Sequence, residues 1–147
     1  MVWLYLLVCL VAGALMPLQA GVNAQLARWV GNPVVASLVS FAVGTVALFA
    51  YSAALRPQLP ALGALAAAPW WVWAGGLLGA VFVTAAAAFA PQLGAATFIS
   101  VTIGGQVLVS VLLDHFGAVG FAERPVTPLR LVGALVLIAG VLMVRKF

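Results

Sequence analysis

From Pro57 to Leu113 the chain carries no charged side chain, and from Met1 to Ala27 it carries none either. A folded soluble domain has about one charged residue in four, so stretches of this length exclude one. The charges that do occur act as punctuation: Arg28, Arg56, Asp114, Glu123, Arg124, Arg130, Arg145 and Lys146. Between them lie five apolar segments, expected as helices over 2–27, 33–55, 70–90, 93–113 and 129–145. Each approaches or meets the roughly 20 residues that a bilayer demands, the fifth being the shortest. Their runs are unbroken, whereas a membrane β-barrel needs alternation over ~10-residue strands. The predicted class is an all-α membrane protein, a single transmembrane domain over 1–147 with five transmembrane helices.

Local signals set the ends of these segments. The first closes at Arg28-Trp29, and Asn32-Pro33 reads as a helix cap followed by a first-turn proline. The second stops at Arg56-Pro57. A connection with Pro57, Pro60 and Pro69 follows and is expected at the membrane interface. Trp70, Trp71 and Trp73 form an aromatic belt where the third segment enters. Pro91-Gln92-Leu93-Gly94 is expected to break the third run from the fourth, which Asp114-His115 closes. Thr127-Pro128 caps the fifth. The first segment is not a cleavable leader, because its first eight residues hold no Lys or Arg and its apolar run is too long; it is expected to be retained.

Several function classes drop out. The net charge of +4 comes from six basic residues scattered at helix ends, as membrane topology requires; there is no basic cluster and no nucleic-acid partner is expected. No carboxylate, histidine or lysine lies inside any segment. A metal site needs a ligand cluster, and hydrolysis needs a nucleophile beside a base. No metal, cofactor, catalytic residue or enzymatic activity is therefore expected. Asp114 is expected to cap its helix or to pair with an arginine such as Arg124. The single cysteine, Cys9, sits in the first apolar run as a packed or lipid-facing thiol.

What remains is uncharged polarity inside apolar helices. In Pro17-Leu-Gln-Ala-Gly-Val-Asn-Ala-Gln25, Gln19 and Asn23 are four apart and share a helix face. Pro17 removes a backbone donor and Gly21 opens space, so both are candidate hinges. Such a segment is costly in lipid and should face protein or water. The second segment has a stripe of Ser37, Ser40 and Gly44, continued by Leu48 and Tyr51, which suits either close packing or cavity lining. Gly75 and Gly79 read as a packing motif. The fourth segment holds Thr97, Ser100, Thr102, Gly104, Gly105, Gln106 and Ser110. Serine and threonine hydroxyls can bond their own helix, but the Gln106 amide needs other partners. The substrate-binding candidates are Gln19, Asn23, Ser37, Ser40, Ser100, Thr102 and Gln106. The other reading of the amides is structural glue between helices.

Five spans place the termini on opposite faces. One face holds Arg56, Arg124 and Arg130, the other Arg28, Arg145 and Lys146. With equal anchors the positive-inside rule has almost nothing to act on. The expectation is insertion in both orientations and an antiparallel homodimer, with Gly133 and Gly140 at the dimer contact. A small bias from Arg130 or the N-terminal amine is the alternative. No internal repeat is visible, and a second, inverted copy would supply the repeat usual in transporters.

Five sets of residues carry a resemblance: Gln19 with Asn23-Ala24-x-Leu26, Ser40-Phe41-x-x-Gly44, Pro91-x-x-Gly94, Gly105-Gln106, and Leu113-Asp114-His115-Phe116-Gly117. Together they resemble the YdcZ-like family of bacterial inner-membrane proteins, over nearly the whole chain. The resemblance implies membership of the drug/metabolite transporter superfamily, a five-helix unit equal to half of a ten-helix transporter, and a bacterial inner (cytoplasmic) membrane location. The superfamily's small multidrug exporters use a first-helix glutamate; this chain has Gln19 and Asn23 in that region. The expected function is secondary transport by alternating access, of a neutral, zwitterionic or amphipathic small molecule. The expected partners are a second antiparallel copy, membrane lipids and that substrate. A channel, or a structural or lipid-binding membrane protein, is the alternative.

Overall fold

The computed structural model describes residues 2–57, 60 and 62–146. Their regular structure is helical, with no strand among the described residues. The helices are α1 (Val2–Val30), α2 (Pro33–Leu55), a short α3 (Leu62–Ala66), α4 (Ala74–Leu93), α5 (Ala95–Phe116) and α6 (Pro128–Lys146). A 3₁₀ turn, Trp70–Trp73, leads into α4. Five elements are long and apolar enough to cross a membrane: α1, α2, Trp70–Leu93, α5 and α6. The chain is thus an all-α protein with five membrane-spanning helices. Part of the connection expected at the interface, residues 58, 59 and 61, lies outside the described residues.

Internal contacts group the chain into two compact units, Met1–Gln92 and Leu93–Phe147. In the first, α1 packs on α2. The turn between them takes two residues, Gly31 and Asn32. The Asn32 Oδ1 accepts from the backbone N–H of Val34 at 2.7 Å and of Val35 at 3.2 Å, and Pro33 fills a first-turn position that has no helical donor to lose. This cap is as the sequence predicts. On α1 the buried residues are Ala20, Asn23 and Ala24, one face at helical spacing. On α2 they are Ala36 and Ser37. Small side chains let membrane helices approach closely, which replaces the hydrophobic drive that lipid does not provide.

The structure extends α1 three residues past the predicted end, to Val30, and carries it unbroken through Pro17. Helix α4 likewise runs through Pro91 to Leu93. A proline deletes one donor and crowds one carbonyl, a local loss that a helix can absorb. The break between the third and fourth spans falls at Gly94, whose φ of 81° suits a residue without a Cβ.

In the second unit α5 packs on α6. Gly104 is buried, and a Cβ built there would sit 3.5 Å from a Val141 methyl, so the two helices meet closely at this point. Their loop ends are laced together. Helix α5 continues past Asp114-His115 to Phe116 and stops at Gly117, whose φ is 57°. The Asp114 backbone carbonyl accepts from the Gly117 and Arg124 N–H groups, at 3.4 and 2.6 Å. The His115 Nδ1 accepts from the Val126 N–H at 3.3 Å. Thr127 caps α6, its Oγ1 accepting from the Arg130 N–H at 3.3 Å. The carboxylate of Asp114 pairs with Arg130 at 3.4 Å, and not with Arg124. The first turn of α6 brings the Arg130 guanidinium back over the end of α5, where it also donates to the Arg124 carbonyl at 3.2 Å.

Candidate functional site

The two-residue turn fixes the register of α1 against α2. In an antiparallel helix pair, residues equidistant from the turn share the same depth. Asn23 and Ser40 each lie eight residues from Gly31-Asn32; Gln19 and Gly44 each lie twelve. At 1.5 Å per residue these levels are about 12 and 18 Å from the turn, so they bracket the middle of a ~30 Å hydrocarbon core. Chain geometry thus brings the polar stretch of α1 level with the small, polar stripe of α2.

A groove of about 220 Å³ opens between the two helices at this depth, lined by Gln19, Ser40, Phe41, Gly44, Thr45 and Leu48. Four of the six were singled out in the sequence: Gln19 as an amide, Ser40, Gly44 and Leu48 as the α2 stripe. Phe41 and Thr45 were missed as lining residues, although their own four-residue spacing on the adjoining face is the signal that finds them. Tyr51 is not among the lining residues. No lining residue carries a charge.

Asn23 sits one turn along α1 from Gln19. It is only 3% exposed, and its Nδ2 has no hydrogen-bond partner among the described residues. An unpaired buried donor costs on the order of 1–3 kcal/mol, so its presence in the α1–α2 contact calls for a physical account. Ser37, also 3% exposed, is already satisfied: its hydroxyl donates to the Pro33 carbonyl at 2.9 Å. Thr102 does the same toward Phe98 at 2.8 Å, and Ser110 toward Val107 at 2.9 Å. These hydroxyls keep only acceptor capacity.

Ser100, Thr102 and Gln106 all lie on α5, in the second unit. Ser100 is half-buried and Gln106 exposed, and neither side chain makes a hydrogen bond among the described residues. Pro17 and Gly21 fall inside α1 on either side of Gln19. A Cβ at Gly21, Gly75, Gly76, Gly133 or Gly140 would meet nothing within 4 Å, whereas one at Gly79 would touch the Phe41 ring at 3.5 Å. Gly79 is therefore a packing position within the first unit, and the other four α4 and α6 positions are faces this chain leaves open. No group of three or more potential metal ligands occurs among the described residues.

Comparison with known proteins bears on what this frame belongs to. A family model described as "Putative inner membrane exporter, YdcZ" matches residues 4–143. The chain belongs to the YdcZ family. It is a multi-pass protein of the inner membrane, as its five spans and its relatives agree. Over 77 residues it is 34% identical to the inner membrane protein YdcZ of Escherichia coli strain K12. That match takes in 52% of this chain and 51% of the relative, so the chain spans about half the length of the curated relative it matches. No solved structure matches it. As a YdcZ-family chain its resemblance motifs now have positions. Gln19, Ser40, Phe41 and Gly44 wall the groove, Asn23 is the buried amide beside it, and Asp114-His115-Phe116-Gly117 is the clasp that ends α5.

Proposed function

We propose that the chain is a small-molecule exporter of the inner membrane that works by alternating access, two copies forming a ten-helix antiparallel homodimer of the drug/metabolite transporter kind. The observation that carries this reading is a groove near mid-membrane depth that mixes polar Gln19, Ser40 and Thr45 with apolar Phe41 and Leu48, in a family described as "Putative inner membrane exporter, YdcZ". Polar groups placed there are expensive and mark solute pathways by default. The equal distribution of basic anchors and the open glycines on α4 and α6 support a second, inverted copy. The one carboxylate within a described span, Asp114, sits in the last turn of α5 and is paired with Arg130. The lack of one at mid-span favours a neutral, zwitterionic or amphipathic substrate over a cation exchanged for protons.

Rocking of packed helices about a midplane site is the usual form of such transport, with Pro17 and Gly21 as the points where α1 bends. The test is a thermal-shift screen of the purified protein against neutral, zwitterionic and cationic amphiphiles, followed by flux of the best ligand into proteoliposomes. The reading expects stabilising neutral or zwitterionic compounds and slow, saturable flux. Single-channel currents would make the protein a channel. No ligand and no flux would make it a structural or lipid-binding protein.

A further inference from the structure

The unpaired amide on α1 says more about the ligand than that it is small. Asn23 is level with Ser40, which lines the groove, and one helical turn from Gln19, which lines it too. Its Nδ2 is buried and without an acceptor. The groove itself offers hydroxyls at Ser40 and Thr45, an amide at Gln19, and apolar surface at Phe41 and Leu48, with no charge on any lining residue. A charged solute would leave its water with nothing to compensate it there. An oxygen that only accepts hydrogen bonds would instead satisfy the one buried side-chain donor left idle among the described residues.

Resting on the exporter reading, we infer that the α1–α2 groove takes an uncharged amphiphile whose carbonyl-type oxygen accepts from Asn23 Nδ2, its apolar part lying along Phe41 and Leu48. Because Asn23 is closed off at 3% exposure, the acceptor reaches it only when α1 shifts against α2. Gly21, between Gln19 and Asn23, leaves open space on that helix. Engagement of Asn23 is thus tied to a change of conformation. The ligand favours whichever state opens the amide, by its difference in affinity for the two.

The test uses two probes with the same octyl tail, N,N-dimethylnonanamide and octyltrimethylammonium, on the full chain in lipid nanodiscs. The amide has an acceptor oxygen, no donor and no charge; the ammonium has a charge and no acceptor. The amide is expected to raise the melting temperature saturably and the ammonium to leave it unmoved. Asn23→Leu is expected to weaken the amide response about tenfold, the equivalent of one hydrogen bond. Gly44→Leu, which fills the groove, is expected to abolish it. If Asn23→Leu does not fold, Asn23→Ser, too short to reach, should show the same loss. An amide response unchanged in these variants, or an ammonium response as strong, overturns the inference. Flux that is present but indifferent to Asn23→Leu also removes this site while leaving transport intact. Absent flux with an Asn23-dependent amide response removes transport and leaves the site.

Discussion

Two residues show how far chemistry decides the site. Ser37 and Asn23 are equally buried on facing helices, yet Ser37 donates to Pro33 and Asn23 Nδ2 donates to nothing. Removing the Ser37 hydroxyl therefore costs little function, whereas Asn23→Leu relieves an unpaired donor. Leucine keeps the branched heavy-atom skeleton but is bulkier, so relief of the idle donor, about 1 kcal/mol in favour, is expected to outweigh mild crowding. A melting curve without ligand checks this, and a large loss shared by the smaller Asn23→Ala would show the amide to be structural glue. Both residues were visible in the sequence as polar positions at helical spacing. Which one was satisfied was not, because a serine reaches the carbonyl four residues back in its own helix and an asparagine one turn further into the pair depends on its neighbours.

At the scale of helices, the α5–α6 clasp accounts for the motif Leu113-Asp114-His115-Phe116-Gly117. Gly117 has φ 57°, and a Cβ there would lie 3.3 Å from that of Glu123. Gly117→Ala is expected to cost about 1–2 kcal/mol through the left-handed conformation alone, read as a lower melting temperature. Asp114→Asn is expected to cost less than about 1 kcal/mol, because the ion pair with Arg130 is a third exposed on each side and screened by solvent. The order of these two effects is the informative result. Helix ends governed by neighbours in sequence were legible, as Asn32-Pro33 and Thr127-Pro128 show. Pro91 misled because a proline's damage is local. Arg130 was passed over for Arg124 because sequence distance to Asp114 says nothing about where the first turn of α6 folds back. The groove was half legible: its α1 and α2 residues were found separately, and only the two-residue turn at Gly31-Asn32 sets them at one depth.

For the whole molecule, five spans and a YdcZ-family frame leave open glycine faces on α4 and α6 and anchors divided three against three. If the functional unit is two inverted copies, widening Gly133 or Gly140 should weaken dimerisation without unfolding a chain in which those positions touch nothing. Gly133→Leu is expected to shift the protein from dimer to monomer in detergent while helix content stays constant, measured by light scattering and circular dichroism. Gly104→Leu, packed against Val141, should instead lower stability by about 1–3 kcal/mol through overpacking. Orientation in the membrane decides most directly whether two inverted copies form. A reporter fused after Phe147, active on one side of the membrane and paired with a second active only on the other, reads which way each copy inserts. Comparable signal from both reporters is the predicted result, shifting to one side when a single lysine is added beside Arg28 or Arg56. Signal from one side alone, unmoved by the added charge, would contradict it.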